Sequence, residues 1–298
     1  MSEYLTFENL LGNEKAKELL LKDLEVGSNH SYLFLGREGL GKFLFAQAFA
    51  RKILQIDEIC HSDLKIIEDK ISVKKSQIEE VVEDSFRLPM YKKYKVYIIR
   101  DFDKASKEAQ NALLKTLEEP LAHVKLILVA SNSENILPTI LSRAKLIKFY
   151  PLRDDEIMGH LLFMGYNKIR AEDAIRFAKG SIGKALEILA DVDFFDLKTK
   201  TEAALKSLLT FGGFEAYRTF KFFEDKKDDI DTLLEISYYY VRNLAINPTL
   251  RKDFEGLELR RILNMSSLII EAREKLNFNV NFRAALMPLL LYIGGEDD

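Results

Sequence analysis

Residues 36–43 read GREGLGKF. A glycine, four residues, a second glycine and a lysine is the spacing of a loop that cradles phosphates. Backbone N–H groups converge on the anion, the N-terminus of the following helix adds its dipole, and the lysine supplies a point charge. Gly36, Gly39, Gly41 and Lys42 keep those parts. The working pattern then requires Ser or Thr, whose hydroxyl is a magnesium ligand, and here the position holds Phe43, which has no oxygen. By itself the stretch leaves three readings open: a tight strand–helix turn with no ligand, residual nucleotide binding, and an ATPase.

Such a loop works only between a strand and a helix. SYLFL at 31–35 reads as a short buried strand, and FLFAQAFARKIL continues from the loop as a helix. Upstream, Ala16, Leu19, Leu20, Leu21 and Leu24 recur at helical spacing over 14–25. Downstream, LKII at 64–67, KVYII at 95–99, KLILVAS at 125–131 and KLIKFY at 145–150 read as strands. Between them lie an amphipathic helix at 75–86 and one at 107–120, with Ala109, Leu113, Leu114 and Leu117 on its apolar side and Pro120 as its stop. A short helix starts at Pro138 and runs toward Arg143. Strands apolar along their length, alternating with helices, predict a parallel sheet covered on both faces. After Pro151 the strand signals cease. Residues 154–190 read as three helical segments, and 195–298 as helices broken near Gly212–Gly213, Asn247–Pro248 and Asn277–Asn281. The expected fold class is α/β then all-α: a P-loop sheet over 1–150, a small helical lid over 151–192 and a helical domain over 193–298.

The totals narrow the function. With 44 basic and 47 acidic residues the formal charge is −3, which argues against strong autonomous nucleic-acid binding. Cys60 is the only cysteine, so neither an internal disulfide nor a cysteine-based zinc site can form. No run of about 18 apolar residues exists, and MSEYLTFENLLGNEKAKELL carries acids throughout, unlike a signal peptide; the cytosol is the expected location. His30, His123 and His160 have no partner pattern and read as structural or exposed. The lysines around Tyr91 and Tyr94 in YKKYKVYII read as a solvated start to a strand. Leu233, Leu234, Ile236, Tyr239 and Tyr240 fall near one another on a helix. Residues 283–293, with Ala284, Ala285, Leu286, Leu289, Leu290 and Leu291, are apolar on most sides, which predicts a helix enclosed by others.

Six strings, in order along nearly the whole chain, resemble the AAA+ clamp-loader family of bacterial DNA polymerase III: TFENLLGNEKAKELL from Thr6, NHSYLFLGREGLGKFLFAQAFA around the loop, NALLKTLEEP at 111–120, ILPTILSRA at 136–144, GSIGKAL at 180–186 and EAREKLNFNVNFRAALMPLLL at 271–291. The ten-residue block and the Ser-Arg segment are specific; the glycine loop alone is not. The resemblance implies an AAA+ core, a lid and a collar domain that assembles into a ring. Counted back from Asn111, it puts the metal-organising acid at Arg100 and the catalytic glutamate at Asp101. A guanidinium facing a divalent ion at ~4 Å costs about 4 kcal/mol per unit charge at an effective dielectric near 20, so roughly twice that in all. Arg100 is therefore expected to turn outward, leaving the site without its acid. A one-residue slip of the strand would offer Asp101 or Asp103 instead, while reversing every side chain of that strand.

In the family the arginine of the Ser-Arg-Cys segment acts in trans, on the γ-phosphate held by the neighbouring subunit. That role falls on Arg143, with Ala144 in place of the cysteine. Lys184 stands at the sensor 2 position, where an arginine is usual, and Ser131 and Asn132 stand at sensor 1. Ordinary surface or turn residues are the plain alternative for each of these. The family's zinc module would need four cysteines, and only Cys60 and His61 are available, so no zinc and no metal site are expected. The resemblance thus implies a non-hydrolysing structural subunit that requires no cofactor and binds ATP or ADP weakly at most. Its implied partners are gamma/tau and delta subunits in a hetero-pentamer, with the sliding clamp and primer–template DNA met through the complex and no membrane. An active motor subunit of the same machine is the alternative, and a DNA-binding adaptor outside replication a third reading that the acidic balance disfavours.

Overall fold

The apolar pentapeptide after His30 forms β1 (Ser31–Leu35), buried over all but its last residue. It lies in a five-stranded parallel sheet of order β2–β3–β4–β1–β5, with β2 (Leu64–Ile67), β3 (Lys95–Ile99), β4 (Val124–Ala130) and β5 (Lys145–Lys148). Strands β3 and β4 are buried from end to end, as expected where helices cover both faces. On one face pack α1 (Glu14–Val26) and α2 (Lys42–Leu54); on the other, α3 (Lys75–Ser85), α4 (Lys107–Glu118) and the short α5 (Pro138–Leu141). Phe49 of α2 is wholly buried, its ring 5.1 Å from that of Tyr32 and 5.8 Å from that of Phe7. Each such side chain contributes roughly 1.5–3 kcal/mol through burial, and this fixes α2 against β1.

The computed structural model describes residues 6–27, 29–58, 60–69, 72–254, 257–278 and 280–295. Residues 1–5 of the N-terminal segment, Ile59 beside Cys60, and Asn279 within the break at 277–281 lie outside the described residues. The chain divides into two compact units, Met1–Leu186 and Glu187–Asp298. The first also contains α6 (Asp154–Phe163), α7 (Lys168–Ala178) and the start of α8 (Ile182–Ala190). The second continues with α9 (Val192–Phe211), α10 (Phe214–Asp225), α11 (Ile230–Ile246), α12 (Pro248–Arg251), α13 (Leu259–Asn277) and α14 (Phe282–Gly294). Its core includes Leu208, Phe223, Leu233, Ile262, Met265 and Leu286. Among the described residues no helix is long and apolar enough to cross a membrane.

Three sequence expectations change. Leu19 is 48% exposed, and the helical face it was to share buries Asp23 instead. That carboxylate accepts from the Asn29 N–H, the Tyr32 hydroxyl and the Lys145 ammonium, so hydrogen bonding overrides hydropathy there. The helix at 283–293 is not enclosed all round: Ala284 and Pro288 are exposed, while Ala285, Leu286, Leu289, Leu290 and Ile293 face the core. On α11, Leu233, Leu234 and Ile236 are buried and Tyr239 and Tyr240 only half-buried. Finally, Lys95 is not solvated. It is buried, with its ammonium 2.9 Å from the Asp84 carboxylate.

Asp84 also receives Lys65 at 2.8 Å and the Tyr97 hydroxyl at 2.6 Å. Burial alone would raise its pKa, but the Lys65, Tyr97 and Lys95 donors outweigh that and hold it well below the usual carboxylate range. The folded pKa lies below the unfolded one. The stabilisation is therefore complete above the ordinary carboxylate pKa and is lost as pH falls below it. Asp84→Asn should cost about 2 kcal/mol at pH 7. Urea midpoints of the two proteins should converge as the pH is taken below about 4.

Candidate functional site

The sheet hands the chain to the phosphate loop at the end of β1. A Cβ on Gly36 would sit 2.5 Å from the Phe149 carbonyl oxygen, so only glycine lets β1 leave beside the segment that follows β5. Gly39 has φ +81°, and Gly41, with φ +76°, precedes the first turn of α2. Lys42 is buried and donates to the Arg37 carbonyl at 2.7 Å. Burial lowers its pKa, against the opposing pull of Asp103, Asp101 and Glu38. The ammonium is thus folded back onto its own loop and faces carboxylates.

Phe43 packs against the α2 side of the core. The Arg100 guanidinium lies over its ring, 4.8 Å from the centroid, and reaches the Glu68 carboxylate at 3.1 Å. The Arg100 side chain is 46% exposed: it turns out of the core and then lies across the benzyl group. So the two residues expected at the positions of oxygen ligands touch each other. A cation over a partly exposed ring contributes ~0.5–1 kcal/mol, and a surface ion pair about 0–1 kcal/mol. A magnesium ion does not fit between them, because the ring offers no donor and the guanidinium repels it.

The acid that acts most strongly on Lys42, Asp103, comes from an element that no strand slip is needed to explain. β3 pairs with β4 in unbroken register, Lys95 with Val124 through Ile99 with Leu128. Asp101 then takes a left-handed conformation and starts a 3-10 turn, Phe102–Lys104. That turn buries Asp103. One of its oxygens accepts the Asn132 N–H at 3.1 Å, and the other is buried without a hydrogen-bond partner among the described residues. Asn132 therefore contributes its backbone, while its side chain bonds Glu134 locally.

At the sensor 2 segment the contact to the loop is made by Ser181. Its hydroxyl donates to the Gly39 carbonyl and accepts the Lys184 N–H at 3.1 Å, at the start of α8. The Lys184 residue is exposed. Ser181 carried no signal in the sequence beyond being a cap-forming residue just ahead of a helix.

Arg143 lies elsewhere. It follows α5 and precedes β5, and its carbonyl accepts from Ser31 at the beginning of β1 at 3.0 Å. The P-loop leaves the other end of that strand. Ala144 is buried in the core on the α4 face, where a small side chain fits. The Arg143 guanidinium donates to the Thr139 carbonyl at 3.0 Å and to the Ser142 hydroxyl at 3.3 Å, and it pairs with Glu118 at 3.0 Å. Gln110, buried in α4, donates to the Ala105 and Asn135 carbonyls and accepts the Leu137 N–H, which ties α4 to the start of α5. A polar residue at helical spacing from Leu113 and Leu117 was the available signal for Gln110. Glu118 gave none.

Known proteins share parts of this chain's sequence and its fold. The family profile described as "DNA polymerase III, delta subunit" matches residues 12–153. The chain is 25% identical to DNA polymerase III subunit delta' of Bacillus subtilis (strain 168) over 300 aligned positions, 89% of this chain and 91% of that protein. It is 31% identical to subunit tau of the same organism over 62% of this chain, which spans 34% of tau. Among solved structures, the Thermotoga maritima RuvB Holliday junction branch migration motor aligns with 97% of this chain and 90% of its own, with a TM-score of 0.51 and 16% identity, a likeness of fold.

The loop's packing is testable by stability alone. Gly36→Ala should cost about 1–3 kcal/mol, because the strand exit must move. Gly159→Ala, inside α6 with open space where the methyl would go, should instead add about 0.5–1 kcal/mol. Thermal unfolding of the two variants beside the parent protein reads both.

Proposed function

We propose that this chain, similar over most of its length to a DNA polymerase III clamp-loader subunit, is a non-hydrolysing subunit of the delta-prime kind. In this reading it sits in a hetero-pentamer with gamma/tau and delta subunits in the cytoplasm, and lends Arg143 to a neighbour's ATP while a sliding clamp is placed on primer–template DNA. Residues 1–150 serve as the AAA+ core, 151–192 as the lid and 193–298 as the collar through which the pentamer holds together. Exposed Phe211, Phe214 and Tyr217 in the last of these are side chains that a subunit seam would cover.

The observation that carries the reading is the position of Arg143. Its carbonyl is tied to Ser31, at the start of β1, and Gly36 follows the end of that five-residue strand. At about 3.3 Å per residue the two lie roughly 16 Å apart along the strand, more than an arginine side chain spans. The arginine therefore serves a phosphate other than one held in its own loop. A guanidinium is charged at every relevant pH and forks onto phosphate oxygens, and such a group supplies ~10³–10⁵ in phosphoryl-transfer rate.

The contact between Phe43 and Arg100 supports the absence of hydrolysis here. A hydroxyl and an acid are both missing, and their replacements occupy each other. ATP or ADP binding at the loop is then weak and dispensable, resting on backbone N–H groups and on Lys42 once it is drawn off the Arg37 carbonyl. No zinc is called for, since His61 already accepts the Asp63 N–H through Nδ1. One observation favours the motor-subunit reading instead. Asp103 offers a buried oxygen that has no hydrogen-bond partner among the described residues, and it acts on Lys42.

Two measurements separate these readings. The isolated protein should show no magnesium-dependent ATP turnover, and Phe43→Thr should not create it while Arg100 remains; turnover by the parent protein would make this chain a motor, and turnover in the variant alone would make Asp103 a competent acid. Arg143→Ala should leave the isolated fold unchanged. In the assembled loader it should slow the one served site by ~10³ or more, seen as the loss of that site's share of clamp-stimulated turnover. Unchanged turnover of the assembly would remove the finger from the account.

A further inference from the structure

We propose that Glu118 is a positioning residue for Arg143, an inference that rests on the reading of Arg143 as a finger acting in trans. Helix α4 grips the α5 segment at two points. At its start Gln110 fixes the backbone around Asn135 and Leu137. At its last residue, Glu118 holds the Arg143 guanidinium at 3.0 Å. The Arg143 backbone is already pinned: its N–H donates to Ile140, its carbonyl accepts from Ser31, and the next residue is buried. What remains free to wander is the long side chain, and three acceptors restrain it: the Thr139 carbonyl, the Ser142 hydroxyl and the Glu118 carboxylate.

A guanidinium has five N–H groups. The three contacts use both hydrogens of Nη1 and one of Nη2. The Nε hydrogen and the second Nη2 hydrogen have no partner among the described residues and stay available for phosphate oxygens. The carboxylate has two effects. It orders the arginine before a partner arrives, and it partly offsets the positive charge. The side chains are 36% and 49% exposed, so solvent screens the charge while the hydrogen bond keeps its direction. Ordering is therefore the larger effect, and the pair can yield to a phosphate.

The test uses the loader assembled with gamma/tau and delta subunits, with clamp, primer–template DNA and ATP. Glu118→Ala should lower kcat at the served site about tenfold with KM for ATP unchanged, a smaller loss than Arg143→Ala causes. Glu118→Gln keeps the acceptor oxygen and should recover most of the rate. In an Arg143→Ala background, Glu118→Ala should have no further effect, and the isolated variant should melt where the parent does. If Glu118→Ala turns over at the parent rate or faster while Arg143→Ala is slow, Glu118 does not position the arginine and the finger stands. If Glu118→Gln is as slow as Glu118→Ala, or the loss persists without Arg143, the positioning role is overturned. If Arg143→Ala itself has no effect, the finger reading fails first.

Discussion

Parallel strands all end at the same edge of their sheet, and that constraint sorts the chemistry of this chain. The glycine loop leaves β1, Arg100 and the turn carrying Asp103 leave β3, and Asn132 follows β4, all at the edge where the strands' carboxyl ends lie. Ligands of open α/β sheets are bound at this edge. Arg143 and Glu118 lie just before β5 and β4, and so at the opposite edge. One sheet thus carries the glycine loop at one edge and the Arg143–Glu118 pair at the other. In the proposed reading, such a chain presents its arginine outward while its own loop lacks the parts for catalysis.

The losses at the loop are coupled in space. A benzyl group where a metal ligand belongs would be an apolar surface at the mouth of a charged site. An arginine where an acid belongs would be a cation next to a cation. Placed together, the ring takes the guanidinium on its face, and Glu68 pairs with its other edge. The arrangement is electrostatically satisfied without any metal ion. The loop itself is kept by packing. Gly36 is required by the nearby Phe149 carbonyl, and Ser181 holds Gly39 from the α8 side. Those constraints are architectural and persist whether or not a phosphate binds.

Much of the first unit was legible in the chain. The five strands were legible because each is a short, β-branched or leucine-rich run beside clear turn residues, and the predicted SYLFL, LKII and KVYII match β1, β2 and β3 residue for residue. Helix 107–118 was legible from Ala109, Leu113 and Leu117 on one face and Pro120 beyond it. Leu19 and Ala284 misled, because hydropathy states what a residue tolerates and says nothing of which side its neighbours occupy. Lys95 misled in the other direction, and Asp23 gave no signal: each is buried because partners distant in sequence, Asp84 and Lys145, satisfy it.

Residue types alone determined that no oxygen stands at 43 or 100, that one arginine follows the short helix, and that a parallel sheet with a glycine loop must hold them, since these depend on composition and local spacing. Tertiary structure alone decided that Phe43 and Arg100 meet, that Asp103 returns toward Lys42 through a left-handed turn at Asp101, and that Arg143 rests on Glu118 at the far edge of the sheet. The reason is physical. A stack, an ion pair or a Coulomb attraction falls off within a few ångströms, and only the closing of the fold brings positions 25 to 61 residues apart to that distance.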